Sequence, residues 1–223
     1  RNWAPFPVQT STIDTIVLTH AHLDHSGYLP ALVKAGYTGA VHCSPATSDL
    51  CKILLPDSGF LQEKDAEYAN RRGFSKHRPA LPLYTQRDAE RALERFAPVE
   101  FGSAHALGDG AQFKLSRAGH ILGASIVELS CHGTKIVFSG DLGRYDDPVM
   151  VDPIPIRAAD FLVVESTYGD RRHDRRDPED TLAEMVTRTV RRGGTVVIPA
   201  FAVGRAQSLL FHLERLRSCG RIH

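Results

Sequence analysis

The segment His20-Ala21-His22-Leu23-Asp24-His25 packs three imidazoles and a carboxylate into six residues. Residues 13–19 (IDTIVLT) precede it and read as a buried strand, rich in β-branched side chains. At a strand end, side chains two apart point the same way, so His20 and His22 can converge on one ion. Asp24 and His25 fall where the chain turns toward the next helix, and can face a neighbouring ion. Imidazole with carboxylate is a donor set that suits zinc. A solvated polar loop is the bland alternative for such a string.

Two further positions could complete a metal site. His120 lies in Ala118-Gly119-His120-Ile121-Leu122-Gly123-Ala124, where the glycines permit close backbone approach. Asp141 lies in Ser139-Gly140-Asp141-Leu142-Gly143-Arg144, just past the apolar run 136–138. Taken alone, such a His120 is more often structural, and such an Asp141 is more often an ordinary turn residue. Glu165, in Glu165-Ser166-Thr167-Tyr168-Gly169, follows the apolar run 161–164; alone it reads as a strand-end surface carboxylate. Arg205 opens a helical pattern, where free backbone N–H groups could hold phosphate, or where a solvated arginine could simply sit.

The elements that must position these residues follow from pattern. Residues 27–35 predict a short helix and 40–43 a strand. Residues 45–70 read as mostly helical with a break at 56–59, around Pro56 and Gly59. Residues 85–96 predict a helix in which Thr85 caps and Asp88 completes a capping box. Short β-rich runs follow at 99–101, 112–117, 125–130 and 135–139, with residues 131–134 as a hairpin turn. Residues 161–164 predict another buried strand. From there the rhythm becomes βα-like: a helix over 178–192 capped by Asp177, a strand over 195–198 and a helix over 203–217. The composition shift at 169–177 suggests a boundary, with residues 1–170 in one domain and 171–223 opening another.

The totals bound the answer. Twenty-seven basic and 26 acidic residues in 223 leave a net charge of +1, which argues against a broadly basic nucleic-acid surface. It leaves room for a local site where metal ions carry the positive charge. The basic runs at 71–78 and 171–176 read as solvated loops or as local patches. No apolar stretch is long enough for a membrane span. Four cysteines without a C-x-x-C pair fit free thiols in a reducing cytoplasm. The chain begins at Arg1 without an initiator Met or a signal-peptide pattern, so a start inside a longer protein is expected.

HAHLDH, GHILGAS and FSGDLGR, in that order, resemble the metallo-β-lactamase superfamily. The resemblance implies an α/β fold, an αββα sandwich, carrying two zinc ions. By matching motif, His20, His22 and His120 would hold one ion, Asp24 and His25 the other, and Asp141 would bridge. ESTYG and PAFAVGRAQ are similar to the β-CASP subgroup of nucleases, in the wording of its RNA-processing members. That likeness implies the start of a βα insertion domain and hydrolysis of RNA phosphodiesters by a hydroxide that two metals activate. Asp24 and Glu165 would be the catalytic carboxylates, with Glu165 orienting a general-acid histidine. Ser166, Thr167 and Arg205 would contact substrate. Single-stranded RNA is the expected partner, with no membrane, a cytoplasmic location and a homodimer of the full-length protein.

The chain departs from the family pattern at both ends. The opening strands with their supporting Asp are absent, as are the later histidines that act as general acid and as a further ligand. His212 and His223 stand in the wrong context to replace them. The sandwich is therefore expected to be incomplete, the chain an internal fragment, and these residues alone weak in zinc binding and in cleavage. A DNA nuclease, a small-molecule hydrolase of the same superfamily and a non-catalytic scaffold subunit are the alternatives.

Overall fold

A computed structural model describes residue 4, residues 6–172 and residues 176–222. The middle of the basic run 171–176 therefore lies outside the described residues. Two sheets form. The first has three parallel strands in the order β1 (Thr15–Val17), β2 (Ala40–Cys43) and β3 (Phe96–Pro98). The second has five strands in sequence order: β4 (Ala104–Gly108), β5 (Ala111–Arg117), β6 (Ser125–Cys131), β7 (Thr134–Phe138) and β8 (Phe161–Val163). All its neighbours are antiparallel except β7 and β8, which run parallel.

The sheets face each other. Val17 of β1 packs with Phe113, Leu115 and Val127 of the second sheet, and the His42 ring of β2 lies 5.3 Å from the Phe113 ring. The helices α1 (Leu23–Ser26), α2 (Leu29–Lys34), α3 (Pro45–Arg72) and α4 (Gln86–Leu93) follow the strands of the first sheet. Leu32, Cys51, Leu55 and Ala89 from three of these helices share one buried cluster with Val41, Ile126 and Val137 from the strands. The remaining helices, α5 (Pro178–Arg191) and α6 (Arg205–Ser218), bury Ala183 and Leu216 in a separate small cluster. No helix among the described residues is long and apolar enough to cross a membrane.

Several sequence signals act as expected. Thr85 Oγ1 accepts from Asp88 N at 3.1 Å and Asp88 Oδ2 accepts from Thr85 N at 3.0 Å, closing the capping box. Asp177 Oδ1 accepts from Glu179 N at 2.7 Å at the start of α5. His132 and Gly133, with φ of 48° and 81°, turn β6 into β7; both central residues of a type I′ hairpin need such values.

Other expectations need correction. The helix over 45–70 does not break at 56–59; α3 runs through Pro56. Proline removes one ladder bond, and the packing of α3 against α4 outweighs that loss. Gly59 is the contact point: a Cβ there would lie 2.6 Å from Gln86 N, so only glycine lets α4 begin against α3. The helix over 85–96 ends at Leu93, because Phe96–Pro98 pair with β2 instead. Residues 99–101 are not a strand, and β4 at Ala104–Gly108 was not foreseen. Residues 195–198 form no strand among the described residues. An extended segment needs a neighbour for its backbone groups, and Val197 is 84% exposed with none.

The second sheet is stapled on one face by Glu128. Its carboxylate, 6% exposed, accepts from Lys114 Nζ at 2.8 Å and Ser116 Oγ at 2.9 Å, and pairs with Lys135. Burial pushes this carboxyl up, but the hydrogen bonds from Lys114, Lys135 and Ser116 overcome that and hold it below its ordinary value. A depressed carboxylate contributes stability above its unfolded pKa of about 4.3 and loses it as pH falls through the folded value. Glu128→Ala is therefore expected to lower unfolding stability by about 2 kcal/mol at pH 7. Urea titrations of both proteins from pH 7 down to about 3 should show that gap closing with acid.

Candidate metal centre

Four chain segments meet at one edge of the sandwich. The end of β1 delivers His20. Strands β7 and β8 are parallel, with Phe138 opposite Val163, so both leave the sheet on the same side. That places Asp141 and Glu165 together. Strand β6 is antiparallel to β7, so it enters where β7 leaves, and the loop 118–124 ahead of it carries His120 to the same edge. Ser125 N donates to Thr19 O at 2.9 Å and joins the two sheets there.

The loops are held by close backbone approach. Gly143 N donates to Ala118 O at 2.8 Å, and a Cβ on Gly143 would overlap Gly119 O. Gly123, at φ +80°, leaves no room for a Cβ against Ser44 and Thr47. Its carbonyl accepts from Ser44 Oγ at 2.6 Å and Thr47 Oγ1 at 2.9 Å. Ser44 is also the N-cap of α3, accepting from Thr47 N, so the longest helix begins by gripping the His120 loop.

The ligand atoms of His20, His22, His120 and Asp141 lie within 4.8 Å of one another. His120 Nε2 stands 3.1 Å from His22 Nδ1 and 3.4 Å from Asp141 Oδ2. Asp141 Oδ2 also faces His20 Nε2 at 3.6 Å, while its other oxygen, Oδ1, faces His25 Nε2 at 3.3 Å. One carboxylate thus looks both ways. His25 packs on His20 with ring centres 4.1 Å apart, and Asp24 stands outermost, 3.6 Å from His25 with its side chain 78% exposed.

Electrostatics keep these rings ready for a cation. His20 is fully buried, and its pKa is lowered to about 3 by that burial and by His25, His120 and His22. Burial also lowers His120, against the pull of Asp141 in the other direction. Both are therefore neutral at pH 7, with a lone pair to give. His20 Nδ1 meets Thr19 Oγ1 at 3.2 Å, but His20 Nε2 has no hydrogen-bond partner although it is buried. An unpartnered buried nitrogen is costly unless something fills the place beside it. His22 Nε2 meets Val203 O at 3.4 Å, which leaves Nδ1 as the nitrogen turned inward. Such an outer carbonyl fixes the ring of a ligand histidine. Three imidazole nitrogens and a carboxylate in this arrangement fit a zinc-type ion.

Glu165 is anchored rather than free. Its Oε1 accepts from Leu142 N at 2.9 Å and its Oε2 from Thr167 N at 3.3 Å. Burial raises its pKa, but the Leu142 and Thr167 bonds and the nearby His120 bring it below its ordinary value. Ser166 and Thr167 line a cleft with His120, Asp141 and Glu165. Arg144 and Asp147 line it too, residues that pattern reading passed over although Arg144 closes the SGDLGR string. Arg205 does not line this cleft; it begins α6 on the exposed side, next to Gly204 and Val203. The Val203 carbonyl is the other partner that no motif announced, since a backbone group leaves no trace in residue type.

Residues 8–192 match the family described as the metallo-beta-lactamase superfamily. Among curated proteins, the chain is 36% identical over 214 residues to Ribonuclease TTHA0252 of Thermus thermophilus, covering 96% of this chain and 46% of that protein. It is 34% identical over 209 residues to Transcription termination factor FttA of Methanocaldococcus jannaschii, covering 91% and 31%. It is 33% identical over 214 residues to Cleavage and polyadenylation specificity factor 73 of Drosophila melanogaster, covering 95% and 29%. The chain spans less than half the length of these relatives. The gathered histidines, the glycine-locked loops and the match over most of the sequence lead to one conclusion: the chain belongs to the metallo-beta-lactamase superfamily.

Proposed function

We propose that this chain carries the metal site of a zinc-dependent nuclease that hydrolyses RNA phosphodiesters, as part of the β-CASP group. The observation that carries the reading is Asp141, whose two oxygens face separate histidine sets. In this reading His20, His22 and His120 would hold one ion, Asp24 and His25 would help hold a second, and Asp141 would serve both. When bound, such ions acidify a water toward neutral pH and offset charge on the phosphoryl group under attack. The protein's own task is to keep three imidazoles, two of them held neutral by burial, and the Asp141 carboxylate converged before substrate arrives. Glu165 is a positioning residue: two backbone N–H groups fix it and keep it ionised beside the cleft. A carboxylate so held can orient a proton-donating histidine toward the leaving oxygen. Ser166 and Thr167 offer hydroxyls to the substrate backbone from the cleft wall. Arg205, outside that wall, would meet RNA only as it enters or leaves.

RNA as the substrate is supported by the names of the relatives, one a ribonuclease and one a cleavage and polyadenylation factor. The separate cluster formed by α5 and α6 supports residues 171–223 as the beginning of a second domain. Buried Cys43 and Cys51, both pushed up to about 12 mainly by burial, are inert thiols that suit a cytoplasmic protein.

Two outcomes are expected. In the full-length protein, Asp141→Asn should abolish cleavage of single-stranded RNA, lowering kcat at least 100-fold by the scale of a lost charge-stabilising group, while RNA affinity largely survives. Gel-resolved cleavage and a binding assay on the same variant check this; undiminished cleavage removes the bridging role. Elemental analysis of the full-length protein should find about two zinc ions per chain, and His120→Ala should reduce that number. A metal-free protein that still cleaves RNA would end the metal reading altogether.

A further inference from the structure

Helix α3 carries a feature that neither the core nor the metal centre uses. Phe60, Lys64, Tyr68 and Arg72 recur every fourth residue, which puts them in one row along the helix. Lys64 Nζ lies over the Phe60 ring at 5.6 Å, and the Arg71 and Arg72 guanidiniums lie over the Tyr68 ring at 5.5 and 5.6 Å. Phe74, just beyond the helix end, continues the row with its ring 5.9 Å from Tyr68. The rings are exposed: Phe60 45%, Tyr68 46% and Phe74 66%. Large aromatic side chains are usually withdrawn into cores, and three alternating with cations on one open face need another reason.

Over the first half of the row Glu63, Asp65 and Glu67 balance Lys64, Arg71 and Arg72, and the charge turns one-sided only beyond Glu67. Between Glu67 and Asp88 the chain has five basic residues (Arg71, Arg72, Lys76, Arg78, Arg87) and no acidic one. The nearby acids are mostly engaged: Glu67 pairs with Lys64, and Glu63 accepts from Gln86 N. Asp65 lines the cleft between α3 and the following loop. That loop is tied at its base, where Asn70 Oδ1 accepts from Ala80 N at 2.7 Å and Asn70 Nδ2 donates to Ala80 O at 2.9 Å. Its basic and aromatic tip is thereby presented on a fixed stem.

Exposed rings flanked by guanidiniums are what a single strand of nucleic acid uses: bases stack on the rings, and phosphates meet the cations. We propose that this row, Phe60 to Phe74, is a docking site for single-stranded RNA outside the cleavage cleft. The choice of RNA rests on the nuclease reading above. A duplex hides its base faces and would leave the rings unused. The row stands at the far end of α3 from Ser44, which grips the His120 loop, so Tyr68 lies roughly 35 Å along the helix axis from it. It would therefore engage only an RNA long enough to extend well past the bond being cut.

The test uses the full-length protein and fluorescence anisotropy with an oligouridylate of about 30 nucleotides, in the Asp141→Asn background so that turnover plays no part. Tyr68→Ala with Phe74→Ala should weaken binding about 10-fold, and Phe74→Tyr alone should not. Arg71→Ser with Arg72→Ser should flatten the plot of log affinity against log salt by about 1.4, two phosphate contacts of a single strand. With Asp141 restored, the aromatic variant should raise KM on the long RNA and leave kinetics on a very short oligonucleotide unchanged. Wild-type affinity and salt slope in both double variants overturn the proposal. So does an equal loss of binding to polyglutamate, which would mark the row as a general anion or protein contact. RNA binding that depends on the row, in a protein that cuts no RNA, would leave this site standing and refute only the nuclease reading.

Discussion

The metal centre depends on backbone meeting backbone. Two glycines, Gly143 and Gly123, let the His120 loop, the Asp141 loop and the start of α3 approach within a distance that no side chain permits. The hydrogen bonds Gly143 N to Ala118 O, and Ser44 Oγ and Thr47 Oγ1 to Gly123 O, then fix what that closeness allows. Each link is local, but together they place residues from positions 20, 120, 141 and 165 of the chain at one sheet edge. The topology does the rest, because a parallel β7–β8 pair inside an otherwise antiparallel sheet sends two carboxylates out on the same side.

This packing also sets the charge state of the site. Converged histidines would repel one another if protonated, and burial penalises the charged form further. Both effects act on His20 and keep it neutral. The single carboxylate in contact with three of the rings remains available to a cation. Stability is spent here: an unpartnered buried nitrogen at His20 weakens the fold and is sensible only where function requires it.

Much of this was legible from residue types. The histidine string, the glycine-framed His120 and Asp141, the Thr85 capping box and the His132-Gly133 turn are local codes, and local codes survive into the structure. What escaped was decided by neighbours far along the chain. Pro56 reads as a break, yet α3 passes through it because Gly59 seats α4. Residues 195–198 read as a strand by their own preference, but no partner strand reaches them among the described residues. At the site, the Val203 carbonyl behind His22 and the nearness of Arg144 to the cleft are properties of position, not of side-chain spelling.

The contact of Gly143 with Gly119 has a consequence for how this protein can vary. A side chain added at residue 143 would collide with the backbone oxygen of residue 119, not with another side chain. No second substitution at residue 119 could relieve that collision, since every amino acid carries the same carbonyl. Suppressor mutations of a damaged residue 143 must therefore move one whole loop, and any such movement displaces a metal-facing group with it. The two loops can shift only as a single part.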